Sequence, residues 1–359
     1  VEAKQVLAEL KKKIDPEIEK YLDRVIKNTK KTDKNVADAL GYAKKIILAG
    51  GKRARAVFMC YGYLAAGGKN LEKIIKISVS IELIHIFLLI HDDIIDQDAK
   101  RHGVATIHKR YESLGKKFLK TRDPAHFGNS MAIIVGDMLG ALGNRVIYES
   151  DFHPELVVRA LHKLQNIVSM TCVGETEDIY IENKGRATEK EIMRMYENKT
   201  AKYTIEGPLH LGAILAGAND NFLKMFSAYS IPVGIAFQIQ DDILGIFGAE
   251  EKMGKPIGSD VRQGKQTILV SKAYEKANSK QKEILNMALG KKDLTADDLT
   301  SFKKVIVATG SLEYAKKIAN KLIEQGKEAL KKGAKIQPVE QEAEDFLLGI
   351  ADYIVNRIV

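Results

Sequence analysis

Residues 91–108 read HDDIIDQDAKRHGVATIH, placing Asp92, Asp93, Asp96 and Asp98 within one short stretch and Lys100-Arg101-His102 directly after it. Carboxylates crowded behind the apolar run IFLLI repel one another unless a cation sits between them. On a helix, residues four apart share a face, so Asp92 and Asp96 can reach one ion, with Asp93 about 100° around. Mg²⁺ is a hard ion that takes one or two carboxylates, several waters and phosphate oxygens. A second cluster, Asp241-Asp242 after Gln238, also ends an apolar run: FQIQDDILG at 237–245 echoes LLIHDDIID at 88–96. Carboxylates on facing helices are a recurring way to build metal sites in bundles. A lone DDxxD reads equally well as a solvated helix end, and it is the second cluster that favours metal and diphosphate. Counting from Asp96 puts Lys100 where a calcium loop needs an oxygen, which argues against an EF-hand.

The cations a diphosphate needs are clustered as well. AGGKRARA (49–56) supplies Lys52, Arg53 and Arg55, and ENKTAKYT (197–204) supplies Lys199, Thr200 and Lys202. MGKPIGSDVRQGKQT (253–267) supplies Lys255 and Lys265. Neither glycine-containing stretch is a Walker loop, since no GxxxxGK[ST] is present. Each cluster alone would read as a solvated basic loop. Together with two acidic clusters they describe a site for Mg²⁺ and diphosphate.

The elements that must position these residues are helical. Leu7, Leu10, Ile14 and then Ile18, Tyr21, Leu22, Val25 recur at three- and four-residue spacing. Asp15-Pro16 reads as an N-cap followed by proline at the first helical position. Thr188 with Glu191 reads as a capping box. With only 7 prolines and no convincing alternating pattern or Asn-Gly hairpin, the chain predicts about a dozen helices joined by short loops. The longer irregular pieces are expected at 113–127, 249–265 and 333–338. No composition shift marks a linker, so residues 1–359 are read as one large all-α domain.

Composition excludes several classes. A chain of 359 residues, 45% hydrophobic and 29% charged, is globular and long enough for a large core. The net charge of +9 comes from 56 Lys+Arg against 47 Asp+Glu, spread along the chain, which describes a solvated surface rather than a nucleic-acid stripe. Cys60 and Cys172 lack CxxC spacing, so neither a zinc site nor a disulfide framework is indicated, and a reducing, cytoplasmic setting fits. No apolar run is expected to span a bilayer, because the most hydrophobic stretch, 76–95, contains Glu82 and His85. No signal-peptide pattern is visible, and a sequence that starts at Val1 says nothing of a removed leader.

The motifs, in order, resemble those of the trans-isoprenyl diphosphate synthases. They are GGKRAR (50–55), HDDIID (91–96) with RHGVATIH (101–108), GD (136–137), GETED (174–178), KT (199–200), GIAFQIQDD (234–242) and GKPIGSD…GK (254–265). The likeness covers roughly residues 35–270. It implies a single helical bundle of the isoprenoid synthase type around a deep central pocket, usually a homodimer, that condenses isopentenyl diphosphate head-to-tail with an allylic diphosphate. It further implies roughly two to three Mg²⁺ ions per site, which ionise the allylic substrate by Lewis-acid stabilisation of the leaving group.

Carried over by position, Asp92, Asp96 and Asp241 are metal ligands supported by Asp93 and Asp242. Arg101, Lys199 and Lys255 grip the allylic diphosphate with Lys265 near it, Thr200 and Gln238 lie beside the ionising carbon, and Lys52, Arg55 and His85 hold isopentenyl diphosphate, with His102 a further candidate contact to it. His85 lies seven residues before Asp92, on the same helix face two turns deeper. Phe87 and Leu88 are expected to form the pocket floor. An aromatic residue five positions before Asp92, with no insertion in DDIID, resembles the archaeal-type geranylgeranyl diphosphate synthases and implies a C20 product.

Three positions depart from the family pattern: His102 where arginine is common, Gly245 where the second cluster commonly ends in aspartate, and Glu175 where glutamine is common. They could tune metal use or mark a catalytically impaired, regulatory subunit, and the floor reading leaves a synthase of another chain length as the other alternative. A terpene cyclase would lack the cation sites for a second diphosphate.

Overall fold

A computed structural model describes residues 2–118, 120, 122–248 and 257–356. The fold is all-α. Helices α1 (Ala3–Thr29), α2 (Lys34–Ala49), α3 (Ala54–Ala65) and α4 (Leu71–Ile95) come first. After a small hairpin follow α5 (Ile107–Phe118), α6 (Pro124–Tyr148), α7 (Pro154–Lys184) and α8 (Glu189–Tyr196). A π-helical segment, Glu197–Glu206, leads into α9 (Gly207–Leu215) and the long α10 (Asp220–Phe247). Shorter helices, Ser259–Gln263 and Ile268–Lys276 among them, then lead to Ser311–Ala334 and Gln341–Val355. One hydrophobic cluster extends from Ala3 to Ile354. Helix α4 packs against α6, and the π-helical segment lies between α7 and α10.

Several sequence expectations need correction. Pro16 lies inside a continuous α1, and Asp15 caps nothing; its carboxylate accepts from Lys11 and Arg53 instead. The backbone hydrogen bond a mid-helix proline forfeits is outweighed by the fully buried stripe Ile14, Ile18 and Leu22. Residues 113–118 are helical, so the irregular stretch is shorter than expected. A hairpin is present: Lys100–Arg101 pairs with Val104–Ala105 around His102 and Gly103, both at positive φ as a type I′ turn requires. The Thr188–Glu191 capping box is present.

Three helices are long and apolar enough to cross a membrane by length and composition alone: Leu71–Ile95, Pro124–Tyr148 and Asp220–Phe247, with mean hydropathy 1.9, 1.3 and 1.3. The sequence reading missed them because it counted the polar interruptions in α4. Here all three pack into the bundle, Leu71–Ile95 most deeply, and a helix apolar on all sides suits a buried position. Glu82, the charge inside α4, is buried with its partners: it accepts from the Ala56 backbone N–H and lies 3.6 Å from the Arg53 guanidinium.

Two motif glycines explain how the π-helical segment comes so close to its neighbours. A Cβ at Gly174 on α7 would lie 2.2 Å from the Lys199 backbone nitrogen, and one at Gly234 on α10 would lie 2.5 Å from the Ala201 Cα. Gly174→Ala must therefore displace backbone rather than a side chain. It is expected to cost about 1–3 kcal/mol of stability, read as a lower denaturation midpoint; an unchanged midpoint would show that the segment has slack.

Candidate active site

A cavity of about 400 Å³ opens between α4, α7, the π-helical segment and α10. Asp92, Asp241, Lys199, Thr200, Gln238 and Glu175 line its polar part, and Phe87, Leu88 and Leu89 line its apolar part. A larger cleft, about 720 Å³, lies between α1, α4 and α6, but mixed surface charges line it and none of the motif residues reach it. The smaller cavity is thus the site to which the motifs point.

The two acidic clusters are not alike. Asp92 and Asp241 face the cavity. Asp93 is buried and turned toward the hairpin, where Arg101 donates to it through Nε and Nη2 at 2.8 and 2.5 Å. Asp242 is also buried, accepting from the Tyr196 hydroxyl and, at 2.8 Å, from Gln238 Nε2. Burial pushes its carboxyl upward while Tyr196 and Gln238 oppose the shift. Both carboxylates expected to support the metal ligands are therefore committed to protein partners. Among the described residues no three His, Cys, Asp or Glu side chains form a ready-made cage for an ion. That donor set suits Mg²⁺, which accepts a few carboxylate oxygens and completes its octahedron with phosphate and water.

Internal ammonium groups lie among the acids. Lys199 Nζ is 2.6 Å from Asp178 and 2.8 Å from Glu175. Lys265 Nζ lies 3.1 Å from Asp96, 3.3 Å from Asp178 and 3.0 Å from Glu182. Burial disfavours the charge on Lys199, yet Asp178, Asp92 and Glu175 hold its ammonium well above the usual lysine range. Asp178 is held low against its burial by the same two lysines. Burial pushes the Glu175 carboxyl up, and its Oε1 is buried without a hydrogen-bond partner among the described residues. The glutamate at this position thus brings an acid into direct contact with Lys199.

At the second departure, Gly245, a carboxylate approaches the backbone. A Cβ on Gly245 would lie 2.5 Å from Asp260 Oδ2. The Asp260 carboxylate thus lies against position 245, and a side chain there would have to displace it.

On the other side of the cavity lie the residues expected for isopentenyl diphosphate. Arg55 reaches Thr204 Oγ1 at 2.9 Å and His85 Nε2 at 3.1 Å, and its guanidinium lies 4.3 Å from the Tyr203 ring centroid. A guanidinium only donates, so His85 Nε2 must accept, and its Nδ1–H donates to the Tyr203 hydroxyl at 2.7 Å. Burial and the Arg55 charge hold the His85 pKa well below its ordinary value, as this neutral tautomer requires. Arg55 Nε is buried without an acceptor among the described residues. Lys52 is exposed and is not among the residues that line the cavity. Arg53 is buried, and by bonding Asp15 and the Ile47 carbonyl it fixes the loop that carries Lys52 and leads into α3, where Arg55 lies.

Sequence reasoning missed Tyr203, Thr204 and Tyr196. For Tyr203 and Thr204 the signal was present, because they follow Lys199 and Thr200 at helical spacing. Lys255 lies outside the described residues. The floor pair does reach the cavity: Phe87, which a helical wheel turns away from Asp92, lies edge-on to His91 with ring centroids 5.0 Å apart and over Gly140 on α6.

With this geometry in place, comparison with known proteins is informative. The polyprenyl synthetase family model matches residues 37–306. The geranylgeranyl diphosphate synthase of Saccharolobus solfataricus is 33% identical over 314 residues, covering 87% of this chain and 88% of that one. The geranylfarnesyl diphosphate synthase of Aeropyrum pernix is 34% identical over 322 residues, covering 89% and 94%. A crystal structure of geranylgeranyl pyrophosphate synthase from Corynebacterium glutamicum, complexed with isoprenyl diphosphate and magnesium, superposes with a TM-score of 0.91 at 30% identity, covering 98% and 99%. The chain belongs to the polyprenyl synthetase family. Relatives of two product lengths are equally similar to it, so product length must be read from the pocket.

His102 sharpens one expectation. Its ring packs on Gly50, where a Cβ would lie 2.4 Å from Cγ. Burial, then Arg101, Arg53 and Lys11, lower its pKa from 6.5, so it is neutral at pH 7 and gains charge only as the pH falls further. Compared with His102→Gln, which cancels titration of the ligand itself, the wild-type protein should gain affinity for isopentenyl diphosphate progressively below about pH 6.5 and none from pH 7 to 8. A constant affinity ratio between the two proteins across that range would remove His102 from the site.

Proposed function

We propose that this chain is a trans-prenyltransferase that joins isopentenyl diphosphate to an allylic diphosphate and releases geranylgeranyl diphosphate, C20. One observation carries the reading: a single cavity holds Asp92, Asp241 and Lys199 together with Phe87, Leu88 and Leu89. That combination suits a substrate with a charged head and an apolar tail.

Asp92, Asp96 and Asp241 hold Mg²⁺, and Asp93 and Asp242 support them from behind. When bound with the diphosphate, Mg²⁺ would supply Lewis-acid stabilisation of the leaving group. Lys199 and Lys265 exchange the carboxylates of Asp178 and its neighbours for phosphate oxygens. Arg101, braced by Asp93, meets the same group, and by family resemblance Lys255 does too. The Thr200 and Gln238 dipoles face the cation that ionisation leaves. Lys52, Arg55, His85 and His102 hold isopentenyl diphosphate so that its double bond attacks that carbon. The unsatisfied Arg55 Nε supports an anion there. The departing diphosphate takes the proton lost afterwards, so no dedicated protein base is required.

The same reading takes residues 1–359 as one domain in a cytoplasmic homodimer. The exposed apolar residues Ile95, Ile133, Ile134, Val173 and Tyr180, on the helices that flank the cavity, support a second copy on that face. The test is product analysis of wild type and Phe87→Ala, with Mg²⁺, isopentenyl diphosphate and allylic diphosphates from C5 to C15. Wild type should stop at C20, the variant should run at least one five-carbon unit longer, and EDTA should abolish both. An unchanged profile for Phe87→Ala would refute the floor, and a wild type that needs a second protein would favour the regulatory-subunit alternative.

A further inference from the structure

The second cluster contains a chain of hydrogen bonds that the prenyl-transfer reading does not use. It starts at the backbone N–H of Ile268, in the first turn of the helix after Lys265, which donates to the Tyr196 hydroxyl oxygen at 3.0 Å. Tyr196 is fully buried, and its single proton goes to Asp242 Oδ2. The other carboxylate oxygen accepts from Gln238 Nε2 at 2.8 Å. This fixes which way the Gln238 amide faces, so its carbonyl accepts from Thr200 Oγ1 at 2.6 Å. Thr200 has only one hydroxyl proton, and once it is given to Gln238 only lone pairs remain for the cavity that Thr200 lines.

We propose that Asp242 and Tyr196 are positioning residues rather than metal ligands, acting through Gln238 to hold the Thr200 lone pairs toward the ionising carbon. Without that chain the amide can turn and Thr200 can present a proton, which repels a developing cation. Asparagine at 242 has one acceptor where the chain uses two, so if its carbonyl serves Gln238 its amide N–H faces Tyr196 and the Tyr196 proton loses its acceptor. The inference rests on the prenyl-transfer reading, but part of its test does not.

The experiment compares wild type, Tyr196→Phe, Asp242→Asn, Thr200→Val and the double variant Tyr196→Phe/Thr200→Val. Steady-state kinetics are measured at saturating Mg²⁺, and Mn²⁺ affinity is measured by electron paramagnetic resonance with inorganic diphosphate. Tyr196→Phe and Asp242→Asn should lower kcat about tenfold or more while KM for both substrates stays within about threefold. The double variant should be no slower than Thr200→Val, because both substitutions remove one function. Mn²⁺ affinity should match wild type in Tyr196→Phe and Asp242→Asn, with Asp241→Asn as the weakened control. A loss of Mn²⁺ affinity in Asp242→Asn of about tenfold would make Asp242 a ligand and overturn the proposal. So would a wild-type kcat in Tyr196→Phe, or losses that multiply in the double variant. Should the wild type yield no prenyl product, the functional reading fails, while the Mn²⁺ titration still decides whether Asp242 binds metal.

Discussion

Asp178 accepts hydrogen bonds from Lys199 at 2.6 Å and from Lys265 at 3.3 Å, and the site is organised around that shared carboxylate. Without the two ammonium groups, Asp92, Asp96, Glu175, Asp178 and Glu182 would be an uncompensated cluster of negative charge in a partly desolvated space. With them, α4, α7, the π-helical segment and the Lys265 loop are tied together by opposite charge. The arrangement also leaves the site responsive. Each lysine sits between carboxylates, and a diphosphate carrying its own divalent cations offers both signs of charge a better partner.

Around that centre the acids divide by burial. Asp92 and Asp241 line the cavity, whereas Asp93 and Asp242, next in sequence, turn into the protein and brace other residues. A pair of adjacent aspartates at a helix end thus does two jobs, because neighbouring side chains on a helix point about 100° apart. The glycines at 174 and 234 matter for the same geometry, since only without a Cβ can the backbone that carries Lys199 and Thr200 lie so close to α7 and α10.

Much of this was legible in the sequence. Acidic and basic clusters survive as sequence signals because metal and phosphate chemistry restricts residue type at short, fixed spacings. The all-α class followed from helical periodicity. What could not be read was direction. Nothing in DDIID says that Asp93 faces Arg101, and nothing in FQIQDD says that Asp242 meets Tyr196, 46 residues upstream. Pro16 misled because proline is common at helix starts, and the tertiary burial that keeps α1 continuous is invisible locally. Residues 76–95 misled in the opposite sense: Glu82 reads as an interruption, but Arg53 and a backbone N–H neutralise it inside the bundle. The approach of Asp260 to Gly245 depends on a loop fold that spacing alone does not encode.

The central claim is that the two acidic clusters exist to hold an allylic diphosphate through divalent cations. Calorimetric titration with a non-ionisable allylic thiolodiphosphate, with Mg²⁺ and then with EDTA, tests it most directly. The account predicts tight binding only with Mg²⁺, and a loss of about tenfold or more in both Asp92→Asn and Asp241→Asn. Equal affinity in EDTA, or affinity indifferent to both substitutions, would contradict it and leave the lysines alone as the diphosphate site.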